Sequence, residues 1–106
     1  MSISVVLVNA STPEEARHIG LTLVGSRLAA SVNVLDGVHS IYRWAGAVRQ
    51  RTESQLLIKT RAELVDEVIA RVCELHSYEC PGVIALPIVC GNRPYIDWVA
   101  KETVED

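Results

Sequence analysis

The chain has 106 residues, a formal net charge of -3 and a pI near 5.6, with 49% hydrophobic and 22% charged residues. One domain over residues 1–106 is expected, and intrinsic disorder is a poor reading of this balance. The mild acidity excludes nucleic-acid binding by counterion release, and no uncharged run approaches the ~20 apolar residues of a membrane span. Aromatic residues are 5% with no Phe, so Ile, Leu and Val must fill the core.

Three cysteines, at 73, 80 and 90, cannot all pair within one chain, and Met1-Ser2-Ile3-Ser4 lacks the basic stretch of a signal peptide. A reduced, cytoplasmic protein is expected.

In chain order, Ile3 to Val8 is β-branched and apolar on both faces, as a buried central strand would be. Thr12-Pro13-Glu14-Glu15 reads as a helix start: Thr12 caps, Pro13 takes the first helical position, and Glu15 closes a capping box. Ala16, Ile19, Gly20, Leu23 and Val24 then mark one helical face, and Gly25 is the expected stop.

From Val32 the period falls to two. Val32, Val34, Val38, Tyr42 and Trp44 share one parity, with Asp36-Gly37 as a bend or bulge between them. Ala45-Gly46-Ala47 is a short turn, and a second strand returns from Val48 to Lys59. Arms of about a dozen residues reach roughly 40 Å at 3.3 Å per residue. Their outer half would overhang so small a body, and a lone hairpin is marginal in water, so another subunit is expected to clasp it.

Thr60-Arg61-Ala62-Glu63 reads as a second capping box before a helix with Leu64, Val65, Val68, Ile69, Val72 and Leu75 on its apolar face. Val83 to Leu86 is a further strand, with Pro87 marking a sheet edge. Asn92-Arg93-Pro94 opens a short last helix carrying Tyr95, Trp98 and Val99. The order βαββαβ plus a terminal helix predicts a ferredoxin-like α+β fold, which by itself decides nothing about chemistry.

Four segments carry a family resemblance: Ser40-Ile41-Tyr42-Arg43-Trp44-Ala45-Gly46 at the hairpin tip, Leu57-Ile58-Lys59-Thr60, His76-Ser77-Tyr78-Glu79-Cys80-Pro81, and Gly91-Asn92-Arg93-Pro94-Tyr95-Ile96-Asp97-Trp98. In order and spacing, from about Val5 to Trp98, the chain resembles the CutA divalent-cation tolerance proteins. The resemblance implies a tight trimer with interlocking hairpins, a link to copper tolerance, and no established catalytic activity. It also implies likeness to the trimeric PII signalling proteins, by fold analogy. Metal sites proposed in that family use a Cys at the end of the first strand, where this chain has Asn9 or Ala10, and a His matched by His76. Ser31 stands where members often have Cys.

Two constellations are candidate sites. His76, Glu79 and Cys80 lie within five residues and offer imidazole, carboxylate and thiolate, a donor set suited to copper or zinc. Against this stands a structural role, with His76 capping the second helix and Tyr78 and Glu79 bracing the loop. Arg43, Arg49 and Arg51, with Lys59 further along, offer an anion site between subunits, the alternative being charge protection of a strand edge. Cys73 falls beside an apolar helix face and is expected to be buried, while Cys80 and Cys90 form a candidate redox pair. Enzyme templates are missing: there is no Gly-x-Ser-x-Gly elbow, P-loop or dinucleotide fingerprint. The sequence therefore supports a metal-tolerance protein, with a PII-like module for an anionic small molecule as the alternative.

Overall fold

The structure, a computed structural model, describes residues 2–103. Strand β1 spans Ile3–Ala10, helix α1 Pro13–Gly25, β2 Ser31–Trp44 and β3 Ala47–Arg61. A 3-10 turn at Ala62–Leu64 leads into α2 (Val65–Leu75), followed by β4 (Val83–Pro87) and α3 (Arg93–Glu102). The four strands form one antiparallel sheet in the order β2-β3-β1-β4, the ferredoxin-like arrangement.

Alternation along β1 and β3 decides where the core lies. Val6 and Val8 of β1 and Leu56 and Ile58 of β3 are fully covered by Ala16, Ile19 and Leu23 of α1 and by Val68 and Val72 of α2. Both helices therefore lie on one face of the sheet. Gly20 lets α1 approach: a Cβ there would stand 3.3 Å from Val32 Cγ1. A second small cluster, Ile3, Ala30 and Val99, seats α3. The opposite face carries Val5, Leu7, Leu57, Ile84 and Leu86 by the same alternation, with Ile3 at one end meeting Val99 of α3. Ile84 and Leu86 are exposed there.

The first helix starts as expected, with one difference. Thr12 Oγ1 accepts the Glu15 amide at 3.1 Å, but the Glu15 carboxylate reaches the Ser11 amide (3.0 Å) rather than closing the box on Thr12. The stop falls at Gly25, as expected. Gly25 is the last helical residue, and Arg27 takes the left-handed conformation (φ 65°) while donating to the carbonyls of Lys101 and Glu102. Those side-chain bonds, capping α3, are what hold a non-glycine residue there.

The second capping box does not form. Thr60 and Arg61 stay in β3, paired with Ser4 and Ile3, and neither the 3-10 turn nor α2 has a side-chain cap. Thr60 Oγ1 instead donates to the Leu28 carbonyl at 2.6 Å, because strand pairing with β1 claims the segment first.

Asp36-Gly37 is a bulge. Leu35 pairs with Gln55 and Val38 with Glu53, so β2 advances three residues against two. The extra residue reverses the parity of everything beyond it. Val32 and Val34 face the helices with Ile58 and Leu56; Val38, Tyr42 and Trp44 face the other side. The single apolar stripe expected along this strand is thus two stripes on opposite faces.

The hairpin does overhang. β1 pairs with β3 only as far as Ala10 opposite Ser54, so Ala47–Thr52 have β2 as their one neighbour and are exposed. The molecule is correspondingly elongated, 44 × 25 × 21 Å. A two-residue turn closes the tip, with Ala45 at φ 52° and Gly46 at φ 78°, the positive values that match strand twist.

Candidate functional site

The overhang, the end of β1 and the α2–β4 loop enclose a groove of about 700 Å³. Its floor is the face of β3 turned away from the helices, where residues two apart point the same way: Arg49, Arg51, Glu53 and Gln55 in a row. Beyond the bulge β2 adds Val38, Ser40, Tyr42 and Trp44 to the same face. Tyr78, Glu79 and Cys80 close the far wall.

Tyr78 ties the loop to the sheet. Its hydroxyl donates to Glu53 Oε2 at 2.7 Å, and the Arg51 guanidinium lies 4.9 Å from its ring centroid. Burial, then the hydrogen bond to Glu53, push the Tyr78 hydroxyl up to about 12. Arg49 is steadied by Nε donating to the Trp44 carbonyl at 3.3 Å. At the inner end, the Gln55 amide donates to Asn9 Oδ1 at 3.1 Å.

His76 stands behind this wall, its side chain wholly buried. Its backbone amide ends α2 by donating to the Val72 carbonyl, as a capping residue does. Nδ1 accepts the Tyr78 amide at 3.1 Å, which leaves Nε2 to donate to the Asn9 carbonyl at 2.7 Å. Both ring nitrogens are therefore engaged. The imidazole aligns the loop so that Tyr78 meets Glu53.

Glu15 holds the same loop from α1. Its Oε2 accepts the Ser77 amide at 2.9 Å, and its Oε1 accepts from Ser11. Desolvation opposes the charged carboxylate, but hydrogen bonds from Ser77 and Ser11 outweigh it and hold its pKa below the ordinary value.

The two candidate sets thus meet in part. Glu79 and Cys80 from the first and Arg49 and Arg51 from the second line one groove. Arg43 lies outside it, opposite Val48 and on the other face of the hairpin. Lys59 lies eight residues along β3 from Arg51, bonded to Asn33. Among the described residues, no group of three or more His, Cys, Asp and Glu side chains is placed to hold a metal ion.

The cysteines depart from expectation. All three are free and exposed, including Cys73, which falls at the outer margin of the α2 apolar face rather than within it. Cys80 lines the groove beside Asn9, whereas Cys90 lines a separate depression beside Ile3. Asn9 and Ile3 are at opposite ends of β1, roughly 20 Å apart at 3.3 Å per residue, so the candidate redox pair is not assembled.

Glu53 is the residue that sequence reasoning passed over. The alternation Arg51-x-Glu53-x-Gln55 carried the signal, since those positions must share a strand face.

The architecture and the loop sequences are shared with known proteins. Residues 4–102 match the model of the CutA1 divalent ion tolerance proteins. The chain belongs to that family. It is 46% identical over 99 residues to the divalent-cation tolerance protein CutA of Thermus thermophilus, covering 93% of this chain and 96% of that one. A solved structure of the Thermus protein superposes with a TM-score of 0.94 at 44% identity, covering 96% and 99% of the two chains. CutA1 from Oryza sativa gives 0.97 at 37% identity, covering 100% and 97%. CutA from Archaeoglobus fulgidus, 33% identical with a TM-score of 0.92 over 94% of this chain and 97% of that one, is described as periplasmic. Among the described residues of this chain, no helix is long and apolar enough to cross a membrane.

Proposed function

We propose that this member of the divalent ion tolerance family acts as a homotrimeric, ligand-responsive protein of the cytoplasm, with the groove, at the contact between one protomer's overhang and a neighbouring subunit, as its effector site for a small molecule bearing an anionic group. The observation that carries this reading is the alignment of Arg49 and Arg51 on one face of β3, opening into a groove walled by the Tyr78 ring. Two guanidinium groups in register suit a carboxylate or phosphate better than any other partner.

The apolar face of the sheet exposed at Ile84 and Leu86 and the overhang of Ala47–Thr52 support assembly. An isolated two-stranded ribbon is marginal in water, and further copies of the chain would cover both features. Light scattering at micromolar concentration should return three times the chain mass.

Thermal denaturation with inorganic phosphate, succinate, nucleotides and γ-aminobutyrate tests the effector site, because a ligand of the native state raises the midpoint. A rise that Arg51→Gln removes supports the reading; no rise with any of them sinks it.

Direct copper binding is the second reading. Glu79 and Cys80, both on the groove wall, favour it, and His76 would complete the set only by giving up its bonds to Asn9 and Tyr78. Native mass spectrometry with one equivalent of Cu²⁺ per chain should show retained metal if this holds. A bare protein counts against it.

A further inference from the structure

The charges that line the groove do not suit a simple anion. Arg49 and Arg51 contribute two positive charges, and Glu53 and Glu79 two negative ones. Glu53 is the telling member. It is 6% exposed, and the one hydrogen bond it accepts from a described residue comes from the Tyr78 hydroxyl, at Oε2. Among the described residues no Arg, Lys or His stands within ion-pair distance of it. Its other oxygen, Oε1, has no bond from a described residue and is not sealed from solvent, so a cation entering the groove can pair with it.

The row along β3 therefore offers a cationic half and an anionic half. Arg51 and Glu53 are one strand repeat apart, roughly 6.6 Å at 3.3 Å per residue, on the same face. A dianion seated on the two arginines would meet the Glu53 carboxylate at the next position and Glu79 on the wall. A molecule with a carboxylate at one end and an ammonium at the other meets neither conflict.

Building on the reading of the groove as an effector site, we infer that its ligand is a small zwitterion of the amino-acid type. Its carboxylate lies on Arg49 and Arg51, and its ammonium faces Glu53 and Glu79. On the neighbouring strand Tyr42 stands opposite Arg49 and Val38 opposite Glu53, so these two apolar surfaces flank the row and receive the ligand's carbon chain.

Matched probes test this on the full-length protein. γ-Aminobutyrate and succinate have the same chain length and differ in whether the second end is positive or negative; inorganic phosphate is the third probe. Calorimetric titration should give γ-aminobutyrate at least a tenfold lower Kd than succinate. Glu53→Gln should erase that preference. Glu79→Gln, at an exposed position, should reduce it several-fold and covers the case in which the Glu53 variant folds poorly. Arg51→Gln should weaken both organic probes. Succinate or phosphate binding as tightly as γ-aminobutyrate overturns the zwitterion inference and leaves the anion site standing. Binding by none of the three overturns both. An unchanged preference in both glutamate variants also overturns the inference, since the ammonium would then lie elsewhere.

Discussion

The Tyr78 hydroxyl donates to Glu53 Oε2 at 2.7 Å, joining a loop residue to a strand residue 25 positions earlier in the chain. The Arg51 guanidinium lies over the same ring, so one loop side chain meets both strand residues. Groups that could open toward solvent are thereby held in a row.

Tyr78 should titrate late. Its hydroxyl is pushed up to about 12, by burial first and by the Glu53 carboxylate second. A pKa raised on folding contributes stability that is fully present below the unfolded value near 10 and is lost as pH rises through 12. Ultraviolet titration should resolve one tyrosinate step near 12, and Tyr78→Phe should remove it. A wild-type curve with no step near 12 would refute this.

Glu15 carries the opposite dependence. Its pKa is lowered on folding, by the hydrogen bonds from Ser77 and Ser11 outweighing desolvation. The stability it contributes is therefore present above the unfolded value and lost as pH falls through the folded one. Urea midpoints of wild type and Glu15→Gln should differ at pH 7 and converge as the pH falls well below the ordinary carboxylate range. A gap that stays constant with pH would mean that charge is not what Ser11 and Ser77 hold.

His76→Ala separates structure from metal binding. The substitution leaves the Asn9 carbonyl and the Tyr78 amide without their partner. Each unsatisfied buried group costs roughly 1–3 kcal/mol, so a clear loss of stability is expected. His76→Gln, able to donate and accept, should recover part of it. Equal stability of the alanine variant and wild type would show that the two bonds do not matter.

The hairpin tip can be improved. Ala45 sits at φ 52°, where an alanine side chain pays about 1–2 kcal/mol and asparagine much less. Ala45→Asn should raise the denaturation midpoint by a few degrees. An unchanged or lower midpoint would indicate that another subunit packs on the alanine.

Much of the fold was legible from local pattern. Thr12-Pro13 placed the start of α1 to the residue, and the apolar spacings Ala16, Ile19, Leu23 and Val68, Val72 named the buried faces of both long helices. The site was legible only in part. Arg49 and Arg51 could be paired from their spacing, and Glu79 and Cys80 from their adjacency, but their meeting in one groove could not. That meeting depends on which strand edge the α2–β4 loop passes. Thr60-Arg61-Ala62-Glu63 misled for a related reason: a capping pattern is a local preference, and pairing with Ser4 and Ile3 overrides it.

Sequence alone determined the elements, the central position of β1, the long hairpin and its bulge, because periodicity, proline placement and capping act within a few residues. Tertiary structure decided what those elements face. One unpaired residue at Asp36-Gly37 turned Tyr42 and Trp44 away from the helices and into the groove, a consequence of strand alternation that appears only when the register with β3 is known. It likewise brought Asn9, Arg51, Glu53 and Tyr78 together from three separate stretches of chain, and gave both nitrogens of His76 their partners. Side-chain chemistry follows from residue type, but which groups share a site follows from non-local packing.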